Sequence, residues 1–310
     1  MAQVAAPNDA FMIAAVQLAC RKGHALSDVE QLIDECGWDV NARSTQRPRW
    51  TGLMVACASG RGDIALALVS RHADVHAEDD FHSTAVHVSC QCGQLPPLKV
   101  LVHSKADVSV VNSAQQTPLM LAAQGGHGVC ARLLIAARSG VSSVDSLGKT
   151  ALAYAISSCL KAELALESES RSSLLEADNG WDARSPQQVL LHTFATCRLL
   201  VDCRSDVNAV DTFGESILMA ACTGGGSLSC TTGLVRLLLH AAANPRYASP
   251  GGKTALLCAE GSGVAEKINV LRLALGDDVQ DEGATSPSAD DEYRRSIQSF
   301  LDAIENRGRS

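Results

Sequence analysis

Aromatic side chains are scarce in this chain: five Phe, three Trp and three Tyr make up only 4% of its 310 residues. A core so poor in aromatics argues against β-sandwich layers and suits small, closely packed helices built from Ala, Leu and Val. There is no lysine- or arginine-rich block, and the formal net charge is −8. Both argue against binding nucleic acid through its backbone, so no nucleic-acid partner is expected. Long apolar runs are missing too. The longest near the start, residues 11–20, is about half the roughly 20 residues that span a bilayer. Asp9 precedes that run and no basic segment does, so neither a membrane span nor a signal peptide is expected. What remains is a chain with 46% hydrophobic residues, ample for a core, and twelve cysteines whose meaning depends on where they fall.

They fall in a repeat. Taking Thr117 as an anchor, equivalent stretches begin at Ala14, Thr51, Thr84, Thr150, Ser216 and Thr254, with successive spacings along the chain of 37, 33, 33, 33, 66 and 38 residues. A period of 33 is the length of one supersecondary unit. Two positions after each anchor stands an apolar residue: Val16, Leu53, Val86, Leu119, Leu152, Leu218 and Leu256. Five and six positions after it come mostly small residues, such as Ala56-Cys57, Ser89-Cys90 and Ala122-Ala123, which let neighbouring helices approach closely. Nine positions after it stands Gly23, Gly60, Gly93, Gly126, Gly225 or Gly263, suited to the left-handed residue that ends a helix. A second apolar helix and a turn complete the unit.

"QQTPLMLAAQGGH" (from Gln115) resembles the ankyrin-repeat signature T-P-L-H-x-A-A-x-x-G-H, and "SDVNAVDTFGES" (from Ser205) resembles its hairpin. The resemblance spans about residues 10–280 in seven copies, of which only the Thr117 copy keeps Thr-Pro-Leu and only His87 keeps the signature histidine. It implies an all-α solenoid of stacked helix–turn–helix units, with short β-hairpin fingers along one edge and a concave helix face beneath them. The copies are expected near 10–44, 45–79, 80–112, 113–145, 146–211, 212–249 and 250–280.

The spacing of 66 residues is read as one copy with an insertion, because no anchor or glycine stop falls where another copy would be due. Cys159 replaces the stop in the Thr150 copy, so its first helix is expected to run on through residues 160–170, with the insertion at about 170–189 and the second helix over 190–203. Residues 281–289 read as an acidic linker, and 290–306, with Tyr293, Ile297, Phe300, Leu301 and Ile304 at helical spacing, as an amphipathic helix that caps the array or serves a partner.

Motifs that could carry chemistry fit the repeat frame better. Cys20, Cys57, Cys90 and Cys222 share one small-residue slot, so they are packing residues rather than a disulfide framework, which fits a reducing compartment, cytoplasmic or nuclear. "HSTAVHVSCQC" offers His82, His87, Cys90 and Cys92 to a metal, but the frame sends them in different directions, whereas zinc needs convergent ligands. "SLGKT" and "PGGKT" lack the first glycine of a phosphate loop. Ser185-Pro186, Ser249-Pro250 and Ser286-Pro287 read as turns before phosphorylation sites. Asn208, with Leu200 upstream, resembles asparagines that are hydroxylated in ankyrin proteins. No cofactor, metal or catalytic group is expected, and the chain is read as a non-enzyme.

The resemblance implies binding of another protein, by a monomer, through finger tips and concave face. The residue three before each anchor marks the tip: Phe81, Ala114, Leu147, Phe213 and Gly251. Candidate partner-binding residues are therefore Phe81, Leu147 and Phe213 at the tips, Arg43, Arg47, Arg49 and Trp50 in an extended first finger, and Gln91, Cys92 and Gln124 on the concave side. The expected role is a scaffold or adaptor. The alternatives are a dedicated inhibitor or regulatory subunit of one enzyme and, of a different class, an enzyme with its site in the inserted segment.

Overall fold

The computed structural model describes residues 16, 39–45, 47–171, 185–223 and 229–276. All of these but Gly276 belong to one compact unit, Met1–Leu275; Gly276 is the one described residue of the second unit, Gly276–Ser310. The first copy apart from Val16, the middle of the insertion, the acidic linker and the C-terminal helix thus fall outside the described residues.

Twelve helices are described, in inner–outer pairs: α1 (Gly52–Ala58) with α2 (Gly62–Ser70), α3 (Ala85–Gln91) with α4 (Leu95–His103), α5 (Pro118–Gln124) with α6 (Gly128–Ala136), α7 (Ala151–Arg171) with α8 (Pro186–Asp202), α9 (Ile217–Cys222) with α10 (Ser229–His240), and α11 (Ala255–Ser262) with α12 (Ala265–Leu275). Each described anchor is a helix cap. The hydroxyls of Thr51, Thr117, Thr150, Ser216 and Thr254 accept the backbone N–H three residues on, at 3.3–3.4 Å. The stop glycines Gly60, Gly93, Gly126 and Gly263 all have φ between 67° and 73°, a conformation in which other residues are strained.

The inner helices α1, α3 and α5 are buried nearly all round; every residue of α1 is buried, as are six of the seven in α3 and in α5. The outer helices bury one stripe, such as Ile64, Ala65 and Leu68 or Cys130, Ala131 and Leu134, at the i, i+1, i+4 spacing of a helix with one face in water. One core runs continuously from Val16 to Leu271. A solenoid needs this continuity, because no single pair of helices can bury its apolar face alone.

The fingers are closed turns more than paired strands: only single antiparallel bridges occur among the described residues, at Arg43–Thr51, Val210–Ser216 and Ala248–Thr254. A side-chain acceptor five residues before the anchor organises four of the turns. Asp79 Oδ1 accepts the N–H groups of Phe81 and Ser83, Asn112 those of Ala114 and Gln116, Asp145 those of Leu147 and Lys149, and Asp211 those of Phe213 and Glu215, all within 2.8–3.0 Å.

Successive fingers are then bonded to one another. Asp80 N–H donates to Pro48 O, Ser113 to Phe81 O, Ser146 to Ala114 O and Thr212 to Leu147 O, at 2.9–3.3 Å. The last of these crosses the irregular spacing of 66 residues, so the finger before Ser216 stacks on the finger before Thr150 in the same register as its neighbours. One finger later the donor position is Pro250, which has no N–H and packs its ring against Gly214 instead.

At the stop slot of the Thr150 copy, Cys159 is fully buried and α7 continues to Arg171, making it 21 residues long. Its partner α8 begins at Pro186, earlier than the apolar pattern suggests. Ser185 caps it by accepting Gln188 N–H at 3.3 Å, with Pro186 in the first turn, where a missing N–H costs nothing. Ser185-Pro186 is thus a helix start. Glu163, on the part of α7 beyond the stop slot, is 1% exposed and accepts a hydrogen bond from Thr231 of α10 at 3.2 Å. Lys267 of α12 is also fully buried; burial lowers its pKa, and the neighbouring Glu163 carboxylate opposes that shift.

Candidate interaction surface

The finger row and the inner-helix face carry all ten candidate residues, and the structure divides them into groups. In the first finger Arg43, Arg47 and Arg49 are exposed, but two of them are tied to the next finger: Arg49 Nε lies 3.0 Å and Arg47 Nε 3.8 Å from the Asp80 carboxylate. Trp50 is half-buried against the core and donates its indole N–H to Asp79 Oδ2 at 3.2 Å. Arg47, Arg49 and Trp50 therefore already serve finger-to-finger packing, and replacing Trp50 would perturb the array as well as any partner contact.

The tips are different. Phe81, Leu147 and Phe213 are 60%, 42% and 71% exposed, on fingers whose backbones the ladder holds in register. Sequence spacing missed a second row: Val111, Val144 and Val210, six before their anchors, are also exposed. The ladder brings Leu147 and Phe213 onto adjacent fingers, which makes an apolar edge rather than scattered single residues.

Gln91 and Gln124 are exposed at the C-terminal ends of α3 and α5, one inner-helix length (about 10 Å) from the fingers, and Cys92 is half-buried beside Gln91. His127 Nε2 lies 3.2 Å from the Gln91 carbonyl oxygen, which ties adjacent copies together at that end.

The histidine and cysteine groups have other structural roles. His87 is fully buried: its Nδ1 accepts Thr84 N–H and its Nε2 faces the Gln116 carbonyl oxygen of the next finger, each at 3.1 Å. Burial pulls its pKa down, so the ring is neutral with the proton on Nε2. His82 sits in an exposed turn beside Glu78, and Cys90 is buried in the core. No convergent group of metal ligands occurs among the described residues. Nine cysteines, Cys57 to Cys258, are thiols outside any disulfide, and burial pushes the pKa of Cys130 up to about 11 and that of Cys222 up to about 12, the opposite of what a nucleophile needs. Asn208 accepts Asn244 N–H at 2.8 Å and donates to Ala242 O at 3.3 Å, so its amide fastens two adjacent turns.

A groove of about 220 Å³ opens on the concave side between α7 and α9, with Ala153, Ser157, Leu160, Ile217 and Ala220 in its lining and Lys149, Asp211 and Glu215 toward the fingers. Beside it, Tyr154 donates to Asp145 Oδ2 and accepts from Gln116 Nε2, both at 2.6 Å.

A family model described as ankyrin repeats (3 copies) matches twice, over residues 16–112 and 86–167. The chain belongs to the ankyrin-repeat family. No curated protein matches the sequence. Among solved structures, the human ASB11 ankyrin repeat domain aligns with a TM-score of 0.62 and 20% identity, over 87% of this chain and 99% of that one. The ankyrin repeat domain of Bcl-3, described as a unique member of the IkappaB protein family, aligns with a TM-score of 0.60 and 22% identity, over 83% of this chain and 97% of that one. At such identities the likeness establishes the solenoid fold. Ankyrin repeats are in general protein–protein interaction modules rather than enzymes. No helix among the described residues is long and apolar enough to cross a membrane.

Proposed function

We propose that this ankyrin-repeat chain is a non-enzymatic scaffold or adaptor that binds another protein along its finger edge and concave face. The observation that carries the reading is the registered apolar edge of Phe81, Val144, Leu147, Val210 and Phe213, exposed on turns that the Asp and Asn acceptors and the backbone ladder hold rigid. Rigid apolar side chains bind with little loss of conformational freedom, so most of the area they bury counts toward affinity. The net charge of −8 and the absence of a basic block favour a protein partner over nucleic acid. Free thiols suit a reducing compartment, cytoplasmic or nuclear. The chain is taken to act as a monomer.

Affinity capture with cross-linking mass spectrometry, on the wild-type chain and on Leu147→Asp/Phe213→Asp, tests this. Both side chains point into solvent, so the variant should melt like the wild type. Its partner affinity should fall at least about tenfold, or roughly 1.4 kcal/mol. Unchanged binding by that folded variant would place the interface off the finger edge. One stoichiometric partner would favour a dedicated inhibitor or regulatory subunit over a scaffold.

A further inference from the structure

Three residues after the anchor, in four copies, one side chain fills the space between its own helix start and the next finger. Met54, His87, Met120 and Met219 occupy that slot and are 0–1% exposed. In two copies the plug also satisfies the anchor's backbone: His87 Nδ1 accepts Thr84 N–H, and Met120 Sδ accepts Thr117 N–H at 3.4 Å. His87 in addition reaches the carbonyl oxygen of Gln116, the residue just before the next anchor. In the last copy the slot holds Leu257, which is 53% exposed.

The Thr150 copy breaks the series. Its slot holds Ala153, which can neither fill the gap nor accept a hydrogen bond, and the groove of about 220 Å³ opens there. The next finger is nevertheless in place, since the Thr212-to-Leu147 bond repeats the register of the other fingers. Glu215 therefore stands to Thr150 as Gln116 stands to Thr84, and both Thr150 and Glu215 line the groove. Across the groove the corresponding concave position is Ala220, where the preceding inner helix carries Tyr154, so the space is open toward solvent on that side. Its charges nearly cancel: Lys149 and Asp211 lie at the rim, and the Glu215 carboxylate is paired with Lys253. An uncharged occupant fits that balance better than an anion or a cation.

We propose that this groove receives one neutral imidazole from a histidine of the bound partner, seated between Thr150 N–H and the Glu215 carbonyl oxygen as His87 is seated between Thr84 and Gln116. The proposal rests on the protein-binding reading above and names the chemistry of one contact within it. A methionine would reproduce only the first of the two hydrogen bonds; an imidazole makes both, with Nδ1 as acceptor and Nε2–H as donor.

The test titrates the wild-type chain of 310 residues with N-acetyl-histidine methylamide, followed by amide chemical shifts, with the corresponding blocked methionine and blocked alanine in parallel. Expected are shifts centred on Thr150, Ala153 and Glu215, with the histidine probe binding about tenfold tighter than the alanine probe. Ala153→His should supply the ring from within, abolish the response and raise the melting temperature. Absence of localised shifts up to the solubility limit, equal binding of all three probes, or preference for methionine would overturn the proposal. If Ala153→His fails to fold, Ala153→Met serves as the filled control. A partner captured equally well by the wild type and the filled variant would sink the imidazole contact while leaving the protein-binding reading intact. Failure of the wild type to capture any protein would instead sink that reading.

Discussion

The copies anchored at Thr51, Thr84 and Thr117 and those from Thr150 onward solve the same packing problem by different means. In the first group each inner helix spans seven residues, stops at a glycine and is sealed by the small side chains and the slot residue of its own copy. In the Thr150 copy the stop is lost, α7 runs for 21 residues, and the space it covers is closed with buried polar groups, Glu163, Thr231 and Lys267 among them. Apolar copies are interchangeable because any Leu–Ala surface packs on any other. A buried charge set is not, since each member needs its partner in place. Regularity in this solenoid gives generic stacking, and the irregular region gives a contact that fits only one arrangement.

The largest test of that contrast is Lys267→Ala. It leaves the Glu163 carboxylate buried beside an empty space, and should cost about 3–5 kcal/mol in urea melts. The double variant Glu163→Leu/Lys267→Met should recover at least half of that loss, which would not occur if the two residues acted independently.

A smaller effect is expected in the fingers. Gly148 has φ +73°, and a Cβ there would lie 3.1 Å from the Thr212 N that forms the ladder bond. Gly148→Ala should cost about 1–2 kcal/mol. At the matching turn position Gln115 already tolerates φ +59°, so Gln115→Gly should be neutral or stabilising by less than about 1 kcal/mol. Equal costs at both sites would mean that the ladder across the irregular spacing is not held as the others are.

His87 titrates the regular region. Its folded-state pKa lies below 6.5, so the stability it contributes is present above pH 6.5 and is lost as pH falls through the folded value. Thermal melts of the wild type from pH 7 downward should show that loss, and His87→Met, the residue that fills the same slot at positions 54, 120 and 219, should remove that part of the slope. An unaltered slope would assign the acid sensitivity to other groups.

The smallest change is expected from the insertion itself. Replacing residues 172–184 with a short Gly/Ser linker keeps α7 and α8 whole and should shift stability by less than about 1 kcal/mol, because closure entropy changes slowly with loop length. A loss comparable to that of Lys267→Ala would show that those residues pack as a further copy.

The helical units, their caps and their stops were legible in the sequence because each depends on residues within one turn or one helix of each other. Thr117 caps Met120, Gly126 ends its helix, and Leu119 faces inward, all from local geometry. The finger tips Phe81, Leu147 and Phe213 were legible for the same reason, since the Asp or Asn two residues before each tip defines its turn. The early start of α8 was missed because a Ser-Pro pair serves a turn and a helix cap equally well until the chain around it is placed.

By itself, then, the sequence determined the repeat, the all-α solenoid and the edge on which exposed apolar residues would stand. Only the tertiary structure decided what lies between copies. Trp50 and Asp79 are 29 residues apart, His87 and Gln116 are also 29 apart, and Glu163 and Thr231 are 68 apart. At such separations a residue's own neighbours in the chain do not say whether its partner arrives. Arg47 and Arg49 therefore read as candidate partner contacts, whereas the Asp80 carboxylate that holds them comes from the next finger; the gap at Ala153 likewise exists only because the finger before Ser216 is stacked above it. A gap can be seen only when both of its walls are in place.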